Sequence, residues 1–202
     1  MSFDFSKIAE LSTARGKLVE LKNSAGRVIW AVQSAEVITG TLILRPSADI
    51  SVGHALYPAN SVNAYSLINE EVSDGDSTYI YTKNMSNTSK FRLSGEPQHN
   101  IKKVTSITLK GEPYNENSSN AGSNTFRLYV DGTLVYSSEH NTDKTIDSAF
   151  SGALQINEYL AENGELPIID LEIASTVYSN TSGSKTYNSG VSQVYVVLEY
   201  EA

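Results

Sequence analysis

The chain has 202 residues, 40% of them hydrophobic and 19% charged, with a formal net charge of −8 at pH 7 and no cysteine. This length allows one well-buried core plus an appendage, and the missing cysteines exclude disulfides, thiolate nucleophiles and thiolate zinc sites. An acidic chain without a Lys/Arg run repels phosphate backbones, so no nucleic acid is expected as a partner. No apolar run reaches the ~20 residues of a membrane-spanning helix, so no membrane is expected either.

The start, Met1-Ser2-Phe3-Asp4-Phe5-Ser6, has neither the basic nor the apolar region of a secretion signal, which predicts synthesis in a cytoplasm. Ser6 to Leu11 reads as one short helical turn with Ser6 as its cap. Gly16 to Val32 reads as a β-hairpin, with arms Lys17–Lys22 and Arg27–Val32 and the turn Asn23-Ser24-Ala25-Gly26. An isolated hairpin is marginal in water, so residues 1–35 are expected to form an arm that packs on something else. Phe3, Phe5, Arg27, Ile29 and Trp30 are its candidate docking anchors, because binding energy concentrates in a few aromatic and Arg side chains. The other reading of Trp30, the only tryptophan, is a plug in the core of the main domain.

Residues 36–202 carry many short strand signals separated by turns, the pattern of an antiparallel β-sandwich or jelly roll. Expected strands are Val37–Leu44, Ala64–Asn69, Thr78–Thr82, Lys90–Ser94, Ile101–Lys110, Thr125–Val130, Thr133–Ser138, Ile168–Ser175 and Gln193–Glu201. Ile169, Leu171 and Ile173 alternate with Asp170 and Glu172, as Val194, Val196, Leu198 and Tyr200 alternate with their neighbours; period two with one polar face predicts half-buried strands. Asp131-Gly132 predicts a two-residue type I′ hairpin turn, with Tyr129 opposite Leu134 and Leu128 opposite Val135. Both faces of that hairpin are then partly apolar, which predicts a homo-oligomer. Leu154–Asn163 reads as a connecting helix stopped by Gly164.

Few residues suggest chemistry. His54, His99 and His140 sit in loop-like surroundings without metal or triad spacing. Glu70, Glu71, Asp74 and Asp76 form the densest carboxylate cluster: either a solvated turn in which carboxylates cap backbone amides, or a calcium site with Asp74 and Asp76 as ligands. Arg45-Pro46 reads as a strand end, because Pro has no N–H for the ladder, with Arg45 free to pair with a carboxylate. The polar stretch Tyr178–Gly190 combines Tyr with Ser, Gly and Asn, as recognition loops do, and makes Tyr178 and Tyr187 candidate receptor-binding residues. The Asn115–Asn124 loop has similar polarity without aromatics.

Three segments carry a resemblance: Leu44-Arg45-Pro46-Ser47-Ala48-Asp49, Tyr65-Ser66-Leu67-Ile68-Asn69-Glu70, and Asp74-Gly75-Asp76-Ser77-Thr78-Tyr79-Ile80. In this order they resemble a β-sandwich module of small virion accessory proteins of tailed bacteriophages, and Gly26-Arg27-Val28-Ile29-Trp30 is similar to a hairpin found ahead of it. The resemblance implies an all-β, jelly-roll-like virion protein without catalysis or cofactor, partnered by a major capsid protein or by a tail or baseplate protein. The modest length points to capsid decoration or a head fibre rather than a full tail fibre. A tail or baseplate appendage, or a module recognising a host-surface glycan or protein, is the alternative; a polysaccharide-cleaving enzyme comes third.

Overall fold

The strands fall into two sheets that share no pairing, and the chain divides into two compact units, Met1–Ile38 and Thr39–Ala202. The computed structural model describes residues 10–14, 18–22, 28–33, 37–72, 74, 77–82, 86–116, 122–141, 146–150, 156–177 and 188–202. In the first unit, β1 (Glu10–Ala14), β2 (Leu18–Lys22) and β3 (Val28–Gln33) form an antiparallel meander in that order. Its register aligns Leu11 with Leu21 and Trp30, and Thr13 with Val19 and Val32, so these six residues share one face. Glu10, Ser12, Ala14, Leu18, Glu20, Lys22, Ala31 and Gln33 belong to the other face. The helical turn expected over Ser6–Leu11 is corrected at its C-terminal end: Glu10 and Leu11 are strand residues, paired with Lys22 and Leu21. A third strand extends the pairing, and three strands are more stable than a hairpin alone.

The second unit is all-β and antiparallel, as its alternation predicts. Its strands are β4 (Thr39–Val52), β5 (Ala55–Tyr57), β6 (Tyr79–Tyr81), β7 (Ser86–Ser94), β8 (Lys103–Asn115), β9 (Gly122–Val130), β10 (Thr133–Asn141), β11 (Ile146–Phe150), β12 (Ile169–Val177) and β13 (Ser189–Glu201). They form a sandwich joined through β4. One layer runs β10-β9-β12-β7 and ends on the second half of β4; the other runs β11-β8-β13, with the first half of β4 and the β6-β5 pair along the far edge of β13. From β6 onward the chain changes layer at almost every connection, β9–β10 being the local hairpin, a jelly-roll-like path that leaves most pairings non-local. Inward residues of both layers, among them Phe91, Phe126, Leu128, Leu171, Ile173, Leu109, Val196, Leu198 and Tyr200, make one continuous core.

Several expectations are corrected by this architecture. Pro46 does not end a strand. β4 continues through it, paired with β13 up to Leu44 and with β7 from Arg45, and its register slips between Pro46 and Ala48 and again between Asp49 and Ser51. A residue without an N–H tolerates a broken ladder, and bulges bend a strand, so Arg45-Pro46 is where β4 crosses from one layer to the other. Ala64–Asn69 is not a strand either: Tyr65–Leu67 is a 3-10 turn, with Ala64, Leu67 and Ile68 buried in the core. Of the expected helix, 154 and 155 lie outside the described residues, 156 and 157 are helical, and turns follow, closed by the Tyr159 N–H on the Ile156 carbonyl (3.0 Å) and the Gly164 N–H on the Ala161 carbonyl (2.9 Å). Asn157 holds this segment in place. Its side-chain amide accepts from the Val104 N–H (2.6 Å) and donates to the Val104 carbonyl (2.9 Å), fastening the turn to β8 as a strand would.

The Asp131-Gly132 turn has the positive φ angles of a type I′ loop, 46° and 80°. Tyr129 faces Leu134 as predicted, but a bulge at Val135 puts Tyr136, not Val135, opposite Leu128.

Candidate functional site

The three segments that carry the resemblance meet at the corner where β4 changes layer. Asp49, just past the crossing, accepts the N–H groups of Ala64 and Tyr65 on its two carboxylate oxygens, each at 2.8 Å, and so caps the 3-10 turn. That turn delivers Glu70 to Arg45. The Arg45 guanidinium donates to the Glu70 carbonyl oxygen and lies over the Tyr195 ring, 4.8 Å from its centroid. Gln193 donates to the same carbonyl at 2.9 Å. Among the described residues Arg45 therefore pairs with a backbone carbonyl rather than the expected carboxylate, because the Glu70 carboxylate is turned the other way. It accepts the Asp74 N–H at 3.0 Å and lies 2.7 Å from the Thr78 hydroxyl. Asp74 is exposed, and Asp76 lies outside the described residues. Among the described residues no group of three or more His, Asp and Glu side chains is arranged to hold a metal ion. Asp49 and Glu70 thus hold backbone in place, which is structural chemistry.

A second polar constellation lies inside the sandwich. His54 lies in the bend between β4 and β5, a loop position as expected, yet is only 5% exposed. Its Nδ1 is 2.8 Å from the Ser89 hydroxyl and its Nε2 2.9 Å from the Ser175 hydroxyl. Ser175 in turn donates to Asn124 Oδ1 (2.5 Å), and Asn124 donates to the Gly190 carbonyl (2.8 Å). Proton accounting fixes the tautomer. Since Ser175 spends its proton on Asn124, it must accept from a protonated Nε2, leaving Nδ1 to accept from Ser89. The Ser89 oxygen then accepts the backbone N–H groups of Gly53 (3.1 Å) and His54 (3.2 Å). The chain of bonds runs from β7 through β12 and β9 to β13, and so ties one layer to the other. Burial holds the His54 imidazole neutral, with its pKa lowered to about 4. Ser89 and Ser175 are both fully buried, so no substrate reaches this Ser–His pair. His140, whose Nε2 is 3.1 Å from the Ser138 hydroxyl, has its pKa lowered by partial burial; His99 is exposed.

The outer faces of the two layers differ. On β7, β12 and β9 the outward side chains alternate in charge: Lys90 and Arg92 pair with Asp170, and Arg127 with Glu172. Lys90 Nζ also sits 3.8 Å from the centroid of the Tyr129 ring. On the other layer stands a cluster of tyrosines that the strand patterns did not assemble. Tyr57 and Tyr79 are cross-strand partners, with rings stacked 4.7 Å apart and 13° from parallel. Tyr79 stacks on Tyr114 at 3.7 Å and 11°, and Tyr81 meets Tyr79 and Tyr114 edge-on at 5.6 and 6.5 Å. Ile80, between Tyr79 and Tyr81, is fully buried, so period two places the tyrosines on the outer face. Gly190 lies between Tyr81 and Tyr114 in the ladder and leaves the gap that Tyr114 crosses. A Cβ there would run into the Ile80 carbonyl oxygen. The alternating Tyr79-Ile80-Tyr81 was the only local signal of this cluster, since Tyr57 and Tyr114 arrive from distant strands.

Of the residues singled out from sequence, Ile29 and Trp30 lie in β3, with Trp30 opposite Leu21. Phe3, Phe5, Arg27, Tyr178 and Tyr187 lie outside the described residues. No helix among the described residues is long and apolar enough to cross a membrane.

No family model matches the chain, and no curated protein matches it. Among solved structures it is similar to the CBM36-1 domain of a multidomain xylanase from the hindgut metagenome of Trinervitermes trinervoides. The two share 8% identity over 80% of this chain and 96% of that chain, with a TM-score of 0.32, a likeness too slight to carry an argument.

Proposed function

We propose that this chain is a non-enzymatic accessory protein of a tailed-bacteriophage virion, a capsid decoration or head-fibre protein that docks through its N-terminal unit and displays the sandwich. One observation carries the reading. The three resembling segments, spread from Leu44 to Ile80, interlock at a single corner through Arg45, Asp49, Glu70 and Thr78. Residues that maintain one another in this way are what a shared fold module would retain, whereas coincidental matches would lie scattered. The non-enzymatic part of the reading is supported by how the polar groups are used: Asp49 and Glu70 cap backbone, and His54 is neutral and sealed between two serines.

The docking part rests on the first unit. Its register gathers Leu11, Val19, Leu21, Trp30 and Val32 on one face of a sheet of three short strands, and Trp30 is its natural anchor. A major capsid protein is the proposed partner; a tail or baseplate protein is the second choice. The test is complementation of particles with Trp30→Ala. We expect loss of the protein from gradient-purified particles, with the melting temperature of the isolated chain nearly unchanged. Incorporation at the normal level, or a large drop in melting temperature, would remove Trp30 from this role.

A further inference from the structure

We infer that the tyrosine cluster on the outer face of β5, β6 and β8 is a carbohydrate-binding platform, on which a neutral pyranose stacks against Tyr57. The inference does not rest on the virion assignment, since it concerns a different unit and a different surface.

Tyr57 ends the run of stacked rings and belongs to the edge strand of its layer. One of its faces meets Tyr79, and Tyr57 as a whole is 46% exposed. Behind it, Tyr79 and Tyr114 are held at 3.7 Å, with Tyr114 only 8% exposed. The platform is ordered before any ligand arrives, which removes much of the entropy cost of binding. An aromatic face is electronegative. It attracts the polarised C–H groups on one side of a pyranose ring, while phenolic hydroxyls both donate to and accept from the sugar hydroxyls around the rim.

The geometry also discriminates among ligands. A stable protein partner needs about 800 Å² on each side, and a cluster in which three of four rings are half-buried or buried offers far less. A quaternary ammonium group needs an open cage, whereas these rings close on one another at 3.7 and 4.7 Å. A nucleobase would bring phosphate to a chain of net charge −8. Two other rings are already covered, by Lys90 over Tyr129 and Arg45 over Tyr195. Among the described residues no second ring and no cation stacks on Tyr57.

The test applies the full-length chain to a printed array of neutral hexose oligosaccharides, with cellohexaose and maltohexaose titrated in solution by calorimetry. We expect saturable binding of at least one neutral glycan. Tyr57→Ala and Tyr57→Leu should weaken it by at least about tenfold without lowering the melting temperature by more than a few degrees. Tyr129→Ala, on the opposite layer, should bind like the parent. No neutral glycan bound at millimolar concentration, or binding that survives both Tyr57 variants, would overturn the platform. So would equal losses in Tyr57→Leu and Tyr129→Ala. Loss of particle incorporation in Trp30→Ala with glycan binding intact would leave this inference standing apart from the docking one.

Discussion

The corner at Arg45 and the tyrosine cluster at Tyr57 are built by neighbouring stretches of chain, yet they use their side chains in opposite ways. At the corner, Asp49, Glu70, Arg45 and Gln193 each serve a backbone group, and little of their chemistry is left for a ligand. The His54 network extends the same logic inward, where every proton from Ser89 to Asn124 is placed. At the tyrosine cluster the rings satisfy one another, and the last ring leaves a face for something outside. Polar residues in this molecule mark construction, whereas uncharged aromatics mark contact. Of the residues that drew attention in sequence as possible chemistry, Glu70 and His54 serve the scaffold.

The largest effect should come from the buried network. His54→Ala strands the Ser89 and Ser175 hydroxyls and leaves a cavity between the layers, so we expect a loss of about 3–5 kcal/mol in denaturant unfolding. A loss under about 1 kcal/mol would show that the network is incidental. The same residue predicts a pH dependence. Its folded pKa is about 4, below the ordinary value of ~6.5, so the unfolded chain binds more protons between these limits. Stability associated with His54 is fully present above pH ~6.5 and falls as pH drops toward about 4, by on the order of 3 kcal/mol. His54→Gln should flatten that part of the profile relative to the parent; an unchanged slope would contradict the buried neutral imidazole.

Smaller effects sharpen the contrast. Asp49→Ala removes the cap of the 3-10 turn and should cost about 1 kcal/mol, with hydrogen exchange rising first at Ala64 and Tyr65. Tyr57→Ala should change stability least, by about 0.5 kcal/mol or less, since its ring is stacked on one side only and sits on an edge strand. If Tyr57→Ala proved as damaging as Asp49→Ala, the tyrosine cluster would be scaffold too, and the contrast would collapse.

Legibility from sequence followed the range of the interaction. The alternation in β12 and β13 and the Asp131-Gly132 turn are local, and they named strands and hairpin correctly. The crossing of β4 was not readable, because what carries the strand past Pro46 is a change of partner from β13 to β7. Ala64–Asn69 misled for a similar reason: its apolar residues fit a strand until Asp49, fifteen residues earlier, bends them into a 3-10 turn. β5 and β11 are three and five residues long, too short to show a period, and are held by neighbours. The burial of His54 was not readable because Ser175, its second partner, lies 121 positions away. The tyrosine cluster likewise needs four strands and the missing side chain of Gly190.

The most direct test of the account is imaging of phage particles labelled with gold-conjugated antibody raised against the sandwich, residues 39–202. The account predicts gold on intact particles, distributed over the head. Gold confined to the tail or baseplate would select the alternative location. Particles that carry no label, with all of the protein remaining free in the lysate, would contradict the virion reading outright.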